Sequence, residues 1–275
     1  MIGSVRAELL LMRKRTSTWV LLGVWIALAM LFSYVVAYAM YLNGTGREPL
    51  EVLLPQGLVG TLLAGFPFFG GVLALMLGVL TFGSEYGWGT LKTTFTQGPG
   101  RLELYGAKLA ALGIALVPFV LAVFGLGALA SAAIAAREGA SVDWPGLGLV
   151  ARGVLVGWLV LAVWTGLGVL LAVLFRGTAL AVGIGILYAL VVEGLLSALA
   201  SQVGALDRLV ELFLRANAYS LAATVGVSRE EVSDAGPGSF SGPFVEGAQA
   251  LLVLGIYGSI FVLVAGWLLH RRDVA

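Results

Sequence analysis

Six long apolar runs, separated by polar segments, constrain this chain more than any other feature of its sequence. Each run holds about twenty residues or more, which is the length that an α-helix needs to cross the hydrocarbon core of a bilayer. The composition agrees, because 60% of the residues are hydrophobic and only 11% are charged. So little polar surface cannot cover a water-soluble globule of this size. We therefore predict an all-α, polytopic membrane protein.

The six runs form the spans of one domain that covers residues 1–275. A cleavable signal peptide is the alternative for the first run. Its apolar core would hold only about 7–15 residues, and this run is far longer. We therefore expect a retained span. The spans are placed at about 19–42, 58–82, 109–136, 150–175, 179–199 and 248–269.

Lys and Arg are unevenly distributed between the two predicted sides of the membrane. Most of them fall in the segments that share a side with both chain ends. Cytoplasmic loops carry such an excess, so we expect both ends to be cytoplasmic. Before the first span, Val5, Leu9 and Met12 recur at helical spacing, with Arg6 and Arg13 on another face. This pattern predicts an interfacial helix lying on the membrane surface.

The stretch Glu85–Lys108 is a long polar interruption that carries several Lys and Arg residues between two spans. Thr90 fits the N-cap of a short helix over residues 91–97, and Gly98-Pro99-Gly100 would end it. Arg101 would then begin the helix that leads through Lys108 into the third span. The alternative is a solvated loop whose basic residues only reflect the positive-inside bias.

Apolar side chains in this polar stretch favour a protein contact over a solvated loop. Leu91 and Phe95 lie one helical turn apart and share a face, and Trp88 precedes them. Exposed apolar side chains of this kind are typical of a surface that binds a protein partner.

The same stretch resembles the permease subunits of type-two ATP-binding-cassette exporters, which include bacitracin-resistance-type and sodium-efflux-type bacterial permeases. The second span ends in Phe-Gly-Ser-Glu-Tyr, and Gly-Thr-Leu-Lys, Pro-x-Arg and a Lys entering the third span follow. The resemblance implies a cytoplasmic coupling helix that is seated in a groove of a separate ATP-binding subunit. The residues assigned to this contact are Glu85, Trp88, Gly89, Thr90, Leu91, Lys92, Phe95, Pro99, Arg101 and Lys108.

The resemblance extends over the chain, from the basic N-terminal helix to the ending Arg271-Arg272-Asp273. It implies a second permease chain, identical or related, in the lipid of the cytoplasmic membrane of a bacterium. No G-x-x-x-x-G-K-[ST] phosphate loop occurs in the sequence. We therefore expect no cofactor and no enzymatic activity in this chain. ATP and Mg²⁺ would bind to the partner subunit, and nothing suggests a nucleic-acid partner.

Glu193 is an ionisable residue within the fifth span. A charge near the middle of a bilayer costs at least about 2.5–3.5 kcal/mol, so the carboxyl group needs a polar environment. It would either contact a cationic or polar substrate on the translocation path, or form a structural hydrogen bond to a hydroxyl or backbone group.

The polar insert between the fifth and sixth spans predicts outer helices. Leu206, Leu209, Val210 and Phe213 recur at helical spacing, and Glu211 would pair with Arg215 one turn later. We expect an amphipathic helix at the outer membrane surface. The family likeness suggests partly re-entrant helices that cap the path, and an ordinary interfacial helix is the alternative.

Gly153 and Gly157 form a small-xxx-small pair, which we expect to serve packing within the chain. Other functions stay open for a chain of this kind. Glu193 could serve a secondary transporter or channel, and the polar loop could serve a membrane anchor for a soluble complex. An intramembrane enzyme is disfavoured, because the chain has one His and no Cys.

Overall fold

The computed structural model describes residues 1–44, 50–87, 100–200, 203, 206–229, 232, 239–240 and 242–271. These residues are mainly helical, and no strand occurs among them. Six of the helices are long and apolar enough to cross a membrane. The predicted all-α, polytopic fold is therefore confirmed.

The six membrane-length helices follow a short N-terminal helix and are joined by shorter helices at one end. Helix α1 is Ile2–Lys14. The membrane-length helices are α2 (Thr16–Leu42), α5 (Phe66–Gly87), α6 (Arg101–Glu138), α7 (Leu147–Phe175), α8 (Ala179–Ala200) and α11 (Gly247–Arg271). The shorter ones are α3 (Leu50–Leu53), α4 (Leu58–Leu63), α9 (Asp207–Val210) and α10 (Leu214–Ala223).

Consecutive membrane-length helices alternate in direction, which separates the two ends of the bundle. We call the end that carries α1 the inner end, following the predicted orientation, and the opposite end the outer end. The inner end holds Gly87, Arg101 and Arg271. The outer end holds α3, and α9 and α10 lie in the insert that leaves α8 there.

Helices α5 and α7 form the centre of the bundle. The most apolar window of α5 is 72% buried and that of α7 is 67% buried, against 22% for α2 and for α8. Glycines allow the two central helices to touch: a Cβ atom on Gly78 would collide with the carbonyl oxygen of Thr165, and one on Gly168 with that of Leu75. Such backbone contact leaves little room for sliding, so α5 and α7 pack as one unit.

Packing within the chain also accounts for the small-xxx-small pair in α7. A Cβ atom on Gly153 would approach Val59, and one on Gly157 would approach Phe66. The predicted intrachain use of these glycines is confirmed. Helix α2 joins this core through Trp25, whose indole Nε1–H donates to the Phe119 carbonyl at 3.1 Å.

The outer insert departs from the predicted amphipathic helix. Helix α9 ends at Val210, and α10 begins only at Leu214. The Asn217 side-chain amide holds this break, because it donates to the carbonyls of Glu211 at 2.8 Å and Phe213 at 2.7 Å. A single amphipathic helix through residue 215 is therefore wrong.

Helix α10 is not a surface helix either. Residues 214–222 are all buried, and Arg215 lies inside the fold without an ion pair to Glu211 in the described part of the insert. Hydrogen bonds tie this part of the insert to its neighbours: the Val245 N–H donates to Ser220 Oγ of α10 at 3.0 Å, and the Tyr257 hydroxyl of α11 donates to the carbonyl of Leu212, just before α10, at 3.0 Å. The insert therefore packs into the outer end of the bundle.

Candidate functional site

Three charged side chains from three helices meet inside the inner end of the bundle. Lys108, two turns into α6, is 2% exposed. Its ammonium group donates to Glu8 Oε1 of α1 at 2.8 Å and also to Glu85 Oε1 at the end of α5. A buried ammonium ion is tolerated only when carboxylates replace its lost hydration, and here two of them do so.

Arg15 completes this group, which we call the inner charge cluster (Glu8, Arg15, Glu85 and Lys108). Its Nη2 atom lies 3.9 Å from Glu85 Oε1, and its Nη1 atom donates to the Leu80 carbonyl at 3.3 Å. Arg15 stands between α1 and α2, so the cluster connects four helices. Two cations face two carboxylates, and the cluster is electrically balanced.

Aromatic side chains hold the cluster in place on its apolar side. The Lys108 ammonium lies 5.9 Å from the centre of the Phe82 ring, and the Tyr105 ring packs against Phe82 edge to face at 5.7 Å. The Tyr105 hydroxyl donates to the Val262 carbonyl of α11 at 2.6 Å. The ends of α5, α6 and α11 are therefore fixed relative to one another.

The structure brings together two of the predicted contact residues, Glu85 and Lys108. Arg101 begins α6, as predicted, and lies outside the inner charge cluster. The predicted helix over residues 91–97, with Thr90 before it, falls outside the described residues. So do the remaining predicted contact residues, which are Trp88, Gly89, Thr90, Leu91, Lys92, Phe95 and Pro99.

Glu8 is a member of the cluster that the sequence did not reveal. The apolar spacing assigns the inner face of α1 to Val5, Leu9 and Met12, whereas the buried residues of α1 are Glu8 and Met12. A signal was present, because Glu8 is the one acidic residue in a basic segment and Lys108 stands where an apolar span begins. A lysine at that position needs a counter-charge from somewhere in the fold.

Glu193 lies in a second polar network near the outer end. The side chain is fully buried. Its Oε1 atom accepts from the Tyr188 hydroxyl at 2.7 Å, and both carboxylate oxygens lie 3.3 Å from the Arg215 backbone nitrogen. That N–H belongs to the first turn of α10, where a helix has unpaired donors and the positive end of its dipole.

The Arg215 side chain lies beside this carboxylate, and we call the group the outer network (Tyr188, Glu193 and Arg215). Arg215 is 4% exposed, and its guanidinium carbon lies 5.6 Å from the centre of the Phe68 ring and 5.5 Å from that of the Phe240 ring. No oxygen of Glu193 lies within 4.0 Å of the guanidinium nitrogens in the described network. The charge of Arg215 is therefore stabilised by cation–π contacts with these two rings.

Neither network resembles a metal site. Across the described residues, no group of three or more His, Cys, Asp or Glu side chains is placed to hold a metal ion. The inner charge cluster can transmit force between helices, because its bonds are directional and buried. The outer network can hold α10 against α8 and α5.

Comparison with known proteins places these features in a family. The family model described as "ABC-2 family transporter protein" matches residues 4–192. The match spans α1 through most of α8, so it includes Glu8, Glu85 and Lys108 and stops just before Glu193. No curated protein matches the chain.

Proposed function

The chain belongs to the ABC-2 transporter family, and on this premise we propose that it is the permease subunit of an ATP-driven exporter. It is a multi-pass membrane protein with six membrane-length helices. A separate ATP-binding subunit would bind ATP and Mg²⁺ and supply the energy. The permease would carry the substrate out of the cytoplasm across the cytoplasmic membrane, with both chain ends on the cytoplasmic side.

The contact between Lys108 and Glu85 is the observation that carries this proposal. These two residues flank the segment 88–99, one at the end of α5 and the other in the second turn of α6. Because their side chains are bonded and buried, the end of α5 and the beginning of α6 are held together at the two ends of this segment. A segment that receives force from a partner needs such an attachment, since a loose one would absorb the movement.

We assign the contact with the ATP-binding subunit to residues between Glu85 and Lys108. Leu91 and Phe95 would fill an apolar groove of the partner, with Trp88 beside them, and Lys92 and Arg101 would meet polar groups at its rim. Gly89, Thr90 and Pro99 would shape the backbone of the segment. Glu85 and Lys108 would hold the segment on the bundle.

Movement at this contact would reach the middle of the membrane through α5. Closure of the ATP-binding subunits around ATP would displace the segment and the helix ends attached to it. Helix α5 packs backbone to backbone on α7, so a shift at its inner end moves both central helices. Two permease chains, identical or related, would then change between inward-open and outward-open states.

Glu193 would act at the outer end of this path by positioning α10. Its carboxylate is occupied by a hydroxyl group and by backbone N–H donors of the chain itself, which favours a positioning role over direct contact with a substrate. Because α10 lies buried between the spans, its position would limit the opening of the path to the outside.

The test is whether an ATP-binding subunit binds to this segment. The permease is expressed with the ATP-binding subunit encoded beside it, and the amount of subunit that co-purifies is measured. We expect Leu91→Asp and Phe95→Asp to lower this amount about tenfold or more, because a carboxylate in an apolar contact removes a central anchor.

Val142→Asp is the matched control, since Val142 is an exposed apolar residue in the loop between α6 and α7 at the outer end. It should leave co-purification unchanged. Equal binding by all three variants and the unaltered chain would contradict the assigned contact. Absence of any co-purified ATP-binding subunit would contradict the proposed function itself.

A further inference from the structure

The attachment of α1 to the bundle includes a buried charge in addition to the apolar contacts that Met12 and Leu9 make with the core. Glu8 and Met12 are the buried residues of α1, while Leu10 and Leu11 are exposed. A helix that only rests on a membrane surface needs no buried carboxylate, because its apolar face alone anchors it. The burial of Glu8 therefore requires another explanation.

The bonds of α1 are directed at the first turns of α6. Glu8 accepts from the Lys108 ammonium at 2.8 Å, and the Ser4 hydroxyl donates to Glu103 Oε1 at 3.4 Å. Glu103 and Lys108 lie in the first two turns of α6. Two contacts along the same pair of helices fix both the position of α1 and its orientation.

The inner charge cluster connects α1 to the two helix ends that flank residues 88–99, because Glu8 shares Lys108 with Glu85. Lys108 donates to Glu8 and Glu85 at once, and the second oxygen of Glu85, Oε2, is buried without a hydrogen-bond partner within the described cluster. Lys108 thus bridges α1 and α5. A shift of α6 that moves its ammonium group must pull on both carboxylates.

We infer that Glu8 is a positioning residue that makes α1 part of the coupling unit. Through its bond to Lys108, α1 would move as one body with the first turns of α6, and Arg15 would pass this movement on to α2. The inference rests on the proposed function, since it names a further element driven by the ATP-binding subunit. It predicts that α1 follows α6 when nucleotide binds, and that this depends on Glu8.

The experiment compares two distances in the assembled complex, with and without trapped nucleotide. The chain has no cysteine, so spin labels can be placed on introduced cysteines without removing native thiols. One permease pair joins Arg6→Cys in α1 to Leu180→Cys at the inner end of the peripheral helix α8, and the other joins Leu102→Cys in α6 to the same reference. All three positions are exposed. The complex holds one labelled permease chain and a cysteine-free ATP-binding subunit, and is measured nucleotide-free and after trapping with MgATP and vanadate.

In the unaltered background, both distances should shift on trapping. With Glu8→Gln, the α6 distance should still shift and the α1 distance should lose its shift, while the complex stays assembled. Glu51→Gln, an exposed carboxylate at the outer end, is the control and should leave both shifts intact.

Reversal of the Glu8 charge gives a second arm. Glu8→Lys should abolish the α1 shift while the α6 shift remains, because two ammonium groups then face each other and α1 is no longer bonded to Lys108. An α1 shift that survives in Glu8→Lys would overturn the inference.

Two results would overturn the inference: an α1 distance that stays constant while the α6 distance shifts, or an α1 shift that survives in Glu8→Gln or Glu8→Lys. A constant α6 distance in the unaltered complex would instead contradict the proposed function, and the inference with it. The two failures are therefore distinguishable.

Discussion

The two ends of the bundle bury charge in different ways. At the inner end, Lys108 directly contacts the carboxylates of Glu8 and Glu85. At the outer end, Glu193 and Arg215 are both buried, but the carboxylate accepts from a backbone N–H and a hydroxyl while the guanidinium lies near two aromatic rings. The inner cluster binds charge to charge, and the outer network binds each charge to neutral groups.

This difference predicts which substitutions each end of the bundle tolerates. A charge that is paired with another charge leaves an unpaired partner behind when it is removed. A charge held by neutral dipoles leaves only those dipoles behind, which is less unfavourable. The inner cluster should therefore be sensitive to any change of charge, whereas the outer network should tolerate neutral replacements of similar shape.

The largest effect is expected for Lys108→Met. The substitution keeps an unbranched side chain of nearly the same length, but it leaves the buried Glu8 carboxylate without its cation and leaves Glu85 with only Arg15 at 3.9 Å. It should therefore lower the free energy of unfolding by about 3–5 kcal/mol. Denaturant titration of the purified chain in mixed detergent micelles measures this quantity.

Lys14→Met provides the comparison for this substitution, because Lys14 is an exposed lysine at the end of α1. Its effect should fall within about 0.5 kcal/mol. If Lys108→Met were no more destabilising than Lys14→Met, the buried ion cluster would not stabilise the fold.

A smaller effect is expected for Glu193→Gln. The amide oxygen of Gln can still accept from the backbone of α10, but the charge-assisted part of the hydrogen bonds is lost, so unfolding should become easier by about 1–3 kcal/mol. The same titration in mixed micelles measures the change, and the ATP-binding subunit should still co-purify.

Glu246→Gln is the matched control for this change, since Glu246 is exposed in the segment that precedes α11. If Glu193→Gln lowered the free energy of unfolding as much as Lys108→Met does, the proposed contrast between the two ends would be wrong. A loss of co-purification would mean that Glu193 affects the inner end as well.

The sequence predicted the parts of the fold that depend on local patterns. Long apolar runs give the six spans, and the Gly-Pro-Gly sequence before Arg101 marks the beginning of α6, where the structure has it. The glycine pair in α7 was read correctly as internal packing because a missing side chain allows close approach in any helical bundle. These features need only the chemistry of neighbouring residues.

The two buried networks depend on contacts far apart along the chain, and sequence reasoning missed or misread them. Glu8 and Lys108 are separated by 100 positions, so no spacing rule connects them. The apolar residues of the insert have helical spacing, but the side chain of Asn217 breaks the helix and Arg215 is turned inward. Tertiary contacts replaced the pattern that an isolated helix would follow.

The central claim is that an ATP-binding subunit docks on the segment between α5 and α6, and site-specific cross-linking tests it most directly. Phe95→Cys and the control Val142→Cys each supply the only thiol of the chain, and each is treated with a short photoactivatable thiol reagent in the assembled complex. We predict a covalent adduct with the ATP-binding subunit from Phe95→Cys and none from Val142→Cys. An adduct from Val142→Cys but not from Phe95→Cys, or none from either, would contradict the account.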